Sequence, residues 1–310
     1  MTRKTRLQEL VERFNTRAQA KFYVEHAGGD FADYEHEDDA YRAALDAVRA
    51  ALEATGLKVQ RVDRALVPTF LFAPSDLIVT LGQDGLVANV AKYAGAQPLV
   101  AVNPDPARFD GVLLPFQPAQ ARAAVESVAA ETAAFRAVTL AEAVLRDGQR
   151  LLAFNDFFVG ARTHVSARYR IEVGGRAEAH SSSGVLVSTG AGSTGWLSSM
   201  FNMAAGITAF TSVLAGAAPA AATPVLRLPW DDPHLVFVVR EPFVSKHSRA
   251  GIVAGVLDPG QAIAFESHMP TGGVIFSDGV EADALAFNSG ALAQVRAAAQ
   301  RAHLVVPRAR

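Results

Sequence analysis

The fold is set by the stretch Asp76-Leu77-Ile78-Val79-Thr80-Leu81-Gly82-Gln83-Asp84-Gly85. Its first six residues are apolar enough to be covered on both faces, as in a strand of a parallel sheet. The glycines that follow predict a tight turn, and a helix is predicted from Leu86 to about Tyr93. This order places Asp84 beyond the carboxyl end of a parallel strand, where α/β domains bind their ligands.

Strands and helices alternate on both sides of this stretch. One apolar helical face, ended by Gly56 as a left-handed cap, is made of Tyr41, Leu45, Val48 and Leu52. Further strands are predicted at residues 57–62 and 98–102, and a further helix near 121–130. The alternation predicts a doubly wound α/β domain over residues 1–134.

After about residue 135 the pattern is mainly one of strands. Residues 167–173 alternate with period two and run into Gly174-Gly175, which predicts a hairpin in a sheet with one wet face. More strands are predicted at residues 234–240, 251–256, 262–266 and 273–276. We therefore predict a β-rich second domain over residues 135–310, whose last segment can return to the first domain.

Composition limits the classes of protein to be considered. The chain has 310 residues, enough for two domains, with a charged fraction of 19% and a net charge of −2. This balance is typical of a globular protein and offers no broad basic field for nucleic acid. The absence of cysteine excludes disulfides and thiolate chemistry. Because Leu7 begins an amphipathic helix and not a signal peptide, we expect a cytoplasmic protein.

Residues 179–226 contain no Asp, Glu, Lys or Arg. Such a stretch resembles a membrane span, but it is mostly Ala, Gly, Ser and Thr and is interrupted by Gly206, Gly216 and Pro219. That composition falls short of the Leu, Ile and Phe content that drives insertion. We expect a buried or site-facing segment, followed by a flexible alanine-rich loop at 215–223, and no membrane contact.

A second glycine-rich turn, Ser188-Thr189-Gly190-Ala191-Gly192-Ser193-Thr194-Gly195-Trp196, follows the predicted strand 185–187. It fits the dinucleotide pattern Gly-x-Gly-x-x-Gly, but residues 209–222 lack the acidic residue that would hold a ribose. A redox Rossmann motif is therefore disfavoured. The hydroxyl-rich turn suits phosphates and hydroxyls better.

Three acidic positions allow more than one interpretation. Asp84 can take a proton from a hydroxyl beside phosphates held by the Gly85 amide, or it can cap the following helix. Asn155-Asp156, a polar pair between apolar residues, can bind a base or ribose edge or fix a strand crossover. For Asp278-Gly279 a hairpin turn is favoured over a site.

Two charged clusters are interpreted as solvated surface. The acidic residues between Asp30 and Asp39 suit a helix N-terminus better than a metal site, and the histidines lack ligand spacing for zinc. The basic loop Lys246-His247-Ser248-Arg249 can touch phosphates, although solvation is favoured.

Taken in order, these motifs resemble those of the NAD kinase family across most of the chain. The family's Gly-Gly-Asp-Gly motif is similar to residues 82–85, its Asn-Glu motif to Asn155-Asp156, its hydroxyl-rich block to residues 183–196, and its late Phe-x-Asp-Gly to residues 276–279. The likeness is closest to the mitochondrial-type branch, on Val102-Asn103-Pro104-Asp105-Pro106, Ser182-Ser183-Gly184, the Gly-x-Gly-Ser-x-x-Trp turn and Val239-Arg240-Glu241-Pro242.

The resemblance implies an α/β first domain, a β-rich second domain and a homodimer or larger oligomer. It also implies transfer of the ATP γ-phosphate to the adenosine ribose 2′-hydroxyl of NAD, with Mg²⁺ bridging the ATP phosphates and no metal site of the protein's own. Asp84 would be the base. The nucleotide-binding residues would be Gly82, Gln83, Gly85, Asn103, Asn155, Asp156, Ser183, Thr194, Gly195, Trp196 and Ser199.

The chain departs from the family pattern in three ways. Gln83 replaces a glycine, Ser183 replaces an aspartate, and no first strand is evident before Leu7. The first two departures leave open ATP or polyphosphate as donor, another nucleotide or a sugar as acceptor, and a nucleotide-binding sensor without catalysis. A nicotinamide oxidoreductase ranks below these, since both the ribose acid and a proton donor are missing.

Overall fold

The computed structural model describes residues 1–216 and 226–308 and divides the chain into two units. The first unit comprises Met1–Arg136 and Ala302–Arg310, and the second comprises Ala137–Arg301. Most of the alanine-rich loop expected at 215–223 lies outside the described residues.

The first unit is largely helical and contains a small parallel sheet. Strand β1 pairs with β2, with Ile78 opposite Leu99, and β2 pairs with residues 303–304 near the end of the chain. The elements are α1 Arg6–Phe14, α2 Arg17–His26, α3 Phe31–Glu53, β1 Ile78–Leu81, α4 Asp84–Ala91, β2 Pro98–Val102 and α5 Ala121–Ala129, with short 3₁₀ helices at Arg64–Thr69 and Pro118–Gln120.

The core of the first unit lies between α3, α5 and the parallel strands. Tyr41 and Val48 are buried there with Val100 and Val125, so the predicted face of α3 is confirmed. The strand predicted at 57–62 is wrong, because this segment has no ladder partner; Leu57 and Val59 are about half exposed, and only Val62 is buried.

The open edge of β1 carries the backbone of Met1. The Met1 amine donates to the Val79 carbonyl at 2.6 Å, and the Leu81 amide donates to the Met1 carbonyl at 3.0 Å. Met1 therefore forms two backbone hydrogen bonds along this edge of β1.

The second unit is built from two β-sheets. The elements that lie wholly or mostly in it are β3 Ala134–Leu145, β4 Arg150–Ala153, β5 Asp156–Ala161, β6 Ala167–Val173, β7 Arg176–Ser182, β8 Val185–Ser188, α6 Trp196–Leu214, β9 Leu235–Val239, β10 Ala254–Leu257, β11 Ala262–Ser267, β12 Gly273–Ser277, β13 Val280–Ala286 and β14 Leu292–Val306, with a short 3₁₀ helix at Ala191–Thr194. The first residues of β3 and the last five of β14 belong to the first unit. One sheet has the order β10-β9-β8-β5-β12-β13 and is antiparallel. In the other, β11 lies between β14 and β6.

The predicted hairpin and the later predicted strands are present. Strands β6 and β7 pair antiparallel on either side of Gly174 and Gly175, whose φ angles are 57° and 75°. The mixed α/β architecture, with a helical first part and a β-rich second part, therefore agrees with the predicted fold class.

The two sheets of the second unit enclose one core. Residues on one face of the six-stranded sheet, such as Phe157 and Val187, pack with Tyr169 and Phe265 from the other sheet. Because side chains alternate along a strand, Leu186 points to the opposite face, where it packs against the first turns of α6.

Helix α6 leaves the sheet surface after its first turns. Leu197 and Met200 are buried, whereas the large apolar side chains farther along are exposed: Met203, Ile207, Phe210, Val213 and Leu214. The expectation of a buried segment is therefore wrong for this part of the helix. Among the described helices, α6 alone is long and apolar enough to cross a bilayer, by length and composition only. The rejection of a membrane span stays a prediction.

The acidic residues on α3 are not uniformly solvated. Glu37 and Asp38 are 3% exposed, which corrects the surface interpretation for these two residues. Arg3 and Arg6 both donate to the Glu37 carboxylate, while Asp38 accepts from the Thr5 hydroxyl at 2.5 Å. Burial alone would raise the pKa of Glu37, but the hydrogen bonds from Arg6 and Arg3 bring that pKa below its usual value.

We expect Glu37→Gln to lower the free energy of unfolding by about 1–3 kcal/mol at pH 7, because it leaves Arg3 without its carboxylate partner. The depressed pKa means that this contribution is present above pH 4.5 and is lost as the pH falls toward the lowered value. Urea denaturation at pH 7 and at low pH measures both effects. Glu35→Gln is the control, since its partner Arg17 is exposed and the loss should stay below about 1 kcal/mol. Equal losses in the two variants would contradict the prediction.

Candidate nucleotide site

The first glycine-rich turn joins β1 to α4. Gly82 is buried, and a Cβ atom at this residue would lie 2.8 Å from a methyl carbon of Leu86. Gln83 is exposed and has φ −97° and ψ 169°, an extended backbone that any residue adopts. Gly85 is exposed with open space around it. A glutamine in place of the family's glycine therefore carries no backbone strain.

Asp84 is the first residue of α4 and is half-buried. Its Oδ1 accepts a hydrogen bond from the Leu113 amide at 2.8 Å, so the carboxylate holds the loop that follows β2. The cap residue of α4 is Gln83, which makes no side-chain cap bond. The structure therefore gives Asp84 a contact across the turn, while its negative charge also suits the helix N-terminus.

Asn103 stabilises the same loop from its other end. Its side-chain amide donates to the Phe109 carbonyl at 2.9 Å, and its oxygen accepts from the Asp105 amide at 3.0 Å. Asn103 is 3% exposed. The structure thus shows a loop-forming role for a residue that the resemblance places among the nucleotide contacts.

Asp278 organises the predicted Asn155-Asp156 site. It lies in the β12–β13 hairpin, with φ 54° followed by 69° at Gly279, so the predicted turn is confirmed. Its carboxylate also accepts hydrogen bonds from the amides of Phe154, Asn155 and Asp156 at 3.0, 2.6 and 3.3 Å. Sequence reasoning found the turn but not this role, because the partners lie more than a hundred residues away.

Asp156 begins β5 and its side chain is buried. Burial, followed by the nearby negative charge of Asp278, raises the pKa of Asp156 to about 7. Its carboxyl group is therefore partly protonated near neutral pH and can donate as well as accept a hydrogen bond. Asn155, beside it, is half-buried.

The second glycine-rich turn packs directly on Asn155. The Thr189 hydroxyl donates to the carbonyls of Phe154 and Asn155 at 2.6 and 3.1 Å. A Cβ atom at Gly192 would overlap the Asn155 carbonyl oxygen, and one at Gly190 would overlap the Pro229 carbonyl oxygen. These two glycines are therefore required by close approaches within the protein, and the pattern does not depend on a phosphate.

The end of this turn remains accessible. Thr194, Gly195 and Ser199 are exposed, and Trp196 is half-buried. Trp196 stacks on Phe158 with ring centroids 5.8 Å apart and planes 11° apart, and Phe276 stacks on Phe158 at 5.0 Å. Phe158 belongs to no motif that would have singled it out, and the motif that contains Phe276 gave no sign of this stacking.

Ser183 lies beside Glu241. The Ser183 hydroxyl donates to the Glu241 carboxylate, and Glu241 has φ 49°, an uncommon conformation for a residue other than glycine. A carboxylate is thus present next to the position at which the family has an aspartate. The structure gathers Ser183, Asn155-Asp156 and the second turn in one unit, while Gly82 to Gly85 and Asn103 lie in the other.

Comparison with known proteins identifies the fold. No family model and no curated protein matches the sequence. A structure of yeast NADH kinase complexed with NADH is 16% identical, covers 87% of this chain and 80% of that chain, and has a TM-score of 0.57. The chain shares the fold of this kinase. An NAD kinase from Archaeoglobus fulgidus in complex with ATP is also 16% identical, with coverage of 84% and 88% and a TM-score of 0.54.

We expect Gly192→Ala to destabilise the protein by roughly 3 kcal/mol, because its Cβ would overlap the backbone oxygen of Asn155, which is held by the Thr189 hydroxyl. Gly206→Ala is the matched control, since this glycine lies in α6 with open space around it and alanine favours a helix by up to about 1 kcal/mol. Thermal or urea unfolding compares the two. Similar stability of both variants would contradict the packing role of Gly192.

The raised pKa of Asp156 predicts a pH-dependent effect of Asp156→Asn. The folded protein retains a proton that the unfolded chain releases between the usual pKa of 3.8 and about 7, so Asp156 lowers stability as the pH rises through this range. The variant should therefore gain stability relative to the wild type as the pH rises from 5 to 8. The gain is a few kcal/mol at most, since one pH unit in this range is worth about 1.4 kcal/mol. Asp46→Asn, an exposed carboxylate on α3, should show no such trend. A pH-independent difference would contradict the prediction.

Proposed function

We propose that this protein phosphorylates the adenosine ribose 2′-hydroxyl of NAD, with ATP as donor, to give NADP. The proposal is supported mainly by one coincidence: the motifs that resemble those of NAD kinases occur on a fold shared with an NADH kinase and an NAD kinase. It includes the mitochondrial-type branch as the nearest group, a homodimer or larger oligomer, and a cytoplasmic location.

Asp84 is the proposed general base. One carboxylate oxygen is fixed by the Leu113 amide, and no described residue donates a hydrogen bond to the other. That oxygen would accept the 2′-hydroxyl proton while the hydroxyl oxygen bonds to the γ-phosphorus and the bond to ADP breaks. General-base catalysis of this kind is worth roughly 10²–10⁴-fold in rate. The Gly85 amide and the N-terminus of α4 suit the phosphate oxygens.

The residues of the second unit would hold NAD. Asn155 and Asp156, fixed through Asp278, suit a ribose and base edge, and the protonated form of Asp156 adds a donor. Ser183 and Glu241 together offer a hydroxyl and a carboxylate for a second hydroxyl contact. The exposed residues beside Trp196, which are Thr194, Gly195 and Ser199, would form the solvent-accessible surface that contacts NAD.

Magnesium would enter with ATP. In the described part of the chain no group of three or more His, Asp or Glu side chains is arranged to hold a metal, so the phosphates themselves would supply most of its ligands. Mg²⁺ bound to ATP neutralises charge on the transferred phosphoryl group. Asp84 is the acidic residue of the proposed phosphate-binding turn, so its carboxylate would be the protein group nearest to this ion.

The wild-type protein, incubated with Mg²⁺, NAD and ATP, is expected to form NADP, which a coupled NADP-specific dehydrogenase detects. Parallel reactions with polyphosphate as donor, and with NADH, other nucleotides or sugars as acceptor, define specificity. Asp84→Asn should lower kcat by about 10²-fold or more while changing the Kd for NAD less than about threefold. Asp46→Asn is the control for the loss of an exposed carboxylate.

Each outcome of this assay separates one alternative. Undiminished NADP formation by Asp84→Asn would refute the base assignment. Phosphorylation of another acceptor alone would favour a kinase of the same fold with a different substrate. Binding of NAD and ATP without transfer from any donor would favour a sensor.

A further inference from the structure

Arg240 holds its guanidinium over two aromatic rings at the end of β9. The guanidinium carbon lies 5.1 Å from the centroid of Trp196 and 5.8 Å from that of Phe158. The two rings are nearly parallel, and Phe276 extends the stack. A planar cation above an aromatic face is held by the ring quadrupole, which fixes a long side chain in one place.

The backbone around Arg240 is also fixed. Its amide donates to the Gly184 carbonyl at 2.8 Å, and its carbonyl accepts from the Ser183 amide at 2.9 Å. The neighbouring Glu241 directs its carboxylate to the Ser183 hydroxyl. The nearest acidic residue in the sequence is therefore engaged with a serine.

The hydrogen-bond donors of this guanidinium are unused. No described residue forms an ion pair or a side-chain hydrogen bond with Arg240, although the side chain is half-buried. A contact with a ring uses the face of a guanidinium and leaves its five N–H groups, which lie at the edge, available. A half-buried cation without an anionic partner is costly, and an incoming anion would offset that cost.

We propose that Arg240 binds a phosphate group of the nucleotide, with pyrophosphate-bearing nucleotides as its ligand class. The planar fork of a guanidinium matches two phosphate oxygens, and Trp196 connects Arg240 to the accessible end of the second turn. The choice of a dinucleotide as the natural ligand rests on the proposed function. The anion contact itself rests on the unused donors and the aromatic support.

Calorimetry with inorganic pyrophosphate, ADP, NAD and adenosine tests the proposal. Arg240→Gln should weaken binding of the three phosphate ligands roughly 10- to 100-fold, the usual effect of losing hydrogen bonds to a charged group. Adenosine binding should change less than about threefold. Arg240→Lys, which keeps the charge without the fork, should give an intermediate loss. Arg170→Gln, which removes an exposed arginine paired with Glu172 on β6, should leave all four affinities unchanged.

Thermal unfolding confirms that each variant is folded, and Arg240→Met supplies a second neutral variant that keeps an apolar stem over the rings. Equal affinity of wild type and Arg240→Gln for all phosphate ligands would overturn the proposal, as would an equal loss for adenosine, which would indicate support of Trp196 alone. A wild type that binds none of the phosphate ligands would also overturn it. Arg240-dependent binding without NADP formation would refute the proposed kinase function and leave the phosphate contact standing. NADP formation by Arg240→Gln with unchanged KM values for NAD and ATP would refute the phosphate contact and leave the proposed kinase function standing.

Discussion

The candidate site in the second unit depends on one carboxylate. Asp278 accepts three consecutive backbone amides from residues 154–156 and thereby fixes the start of β5. The carbonyls of this same segment accept from Thr189, and the second glycine turn packs on Asn155. The turn in turn places Trp196, which supports Arg240. Contacts from a hairpin late in the sequence thus fix Asn155 and Asp156 and, through the second glycine turn, support the segment that leads to Trp196.

Features with a local cause could be predicted from the sequence. The strand, turn and helix around Asp84, the apolar face of α3 and the hairpin at Gly174-Gly175 each follow from neighbouring residues. The strand expected at 57–62 failed because alternation shows only that a strand is possible, and pairing depends on a distant partner. Glu37 was expected to be solvated for the same reason, since Arg3 and Arg6 are far from it in sequence.

In the candidate site, too, features with a local cause could be predicted, and features that depend on distant segments could not. Asp84 and Asn155-Asp156 were found because they belong to short motifs, whereas the stacking of Phe158 with Trp196 and Phe276 joins three separate segments. Asn103 belongs to a motif too, and its two loop hydrogen bonds could not be predicted from that motif, while its nucleotide contact stays a prediction. A fold shared at 16% identity is consistent with this, because burial and pairing can be preserved by many different side chains.

The two glycine turns differ in how freely they can diverge. Gln83 occupies extended backbone with an exposed side chain, so nearly any residue can be sampled there without loss of folding. Gly190 and Gly192 face backbone oxygens and admit no side chain. Substitution is therefore tolerated at residue 83 of the first turn, whereas residues 190 and 192 of the second turn accept only glycine. A change of side chain at residue 83 can thus alter the surface beside Asp84 without disturbing the packing of the second unit.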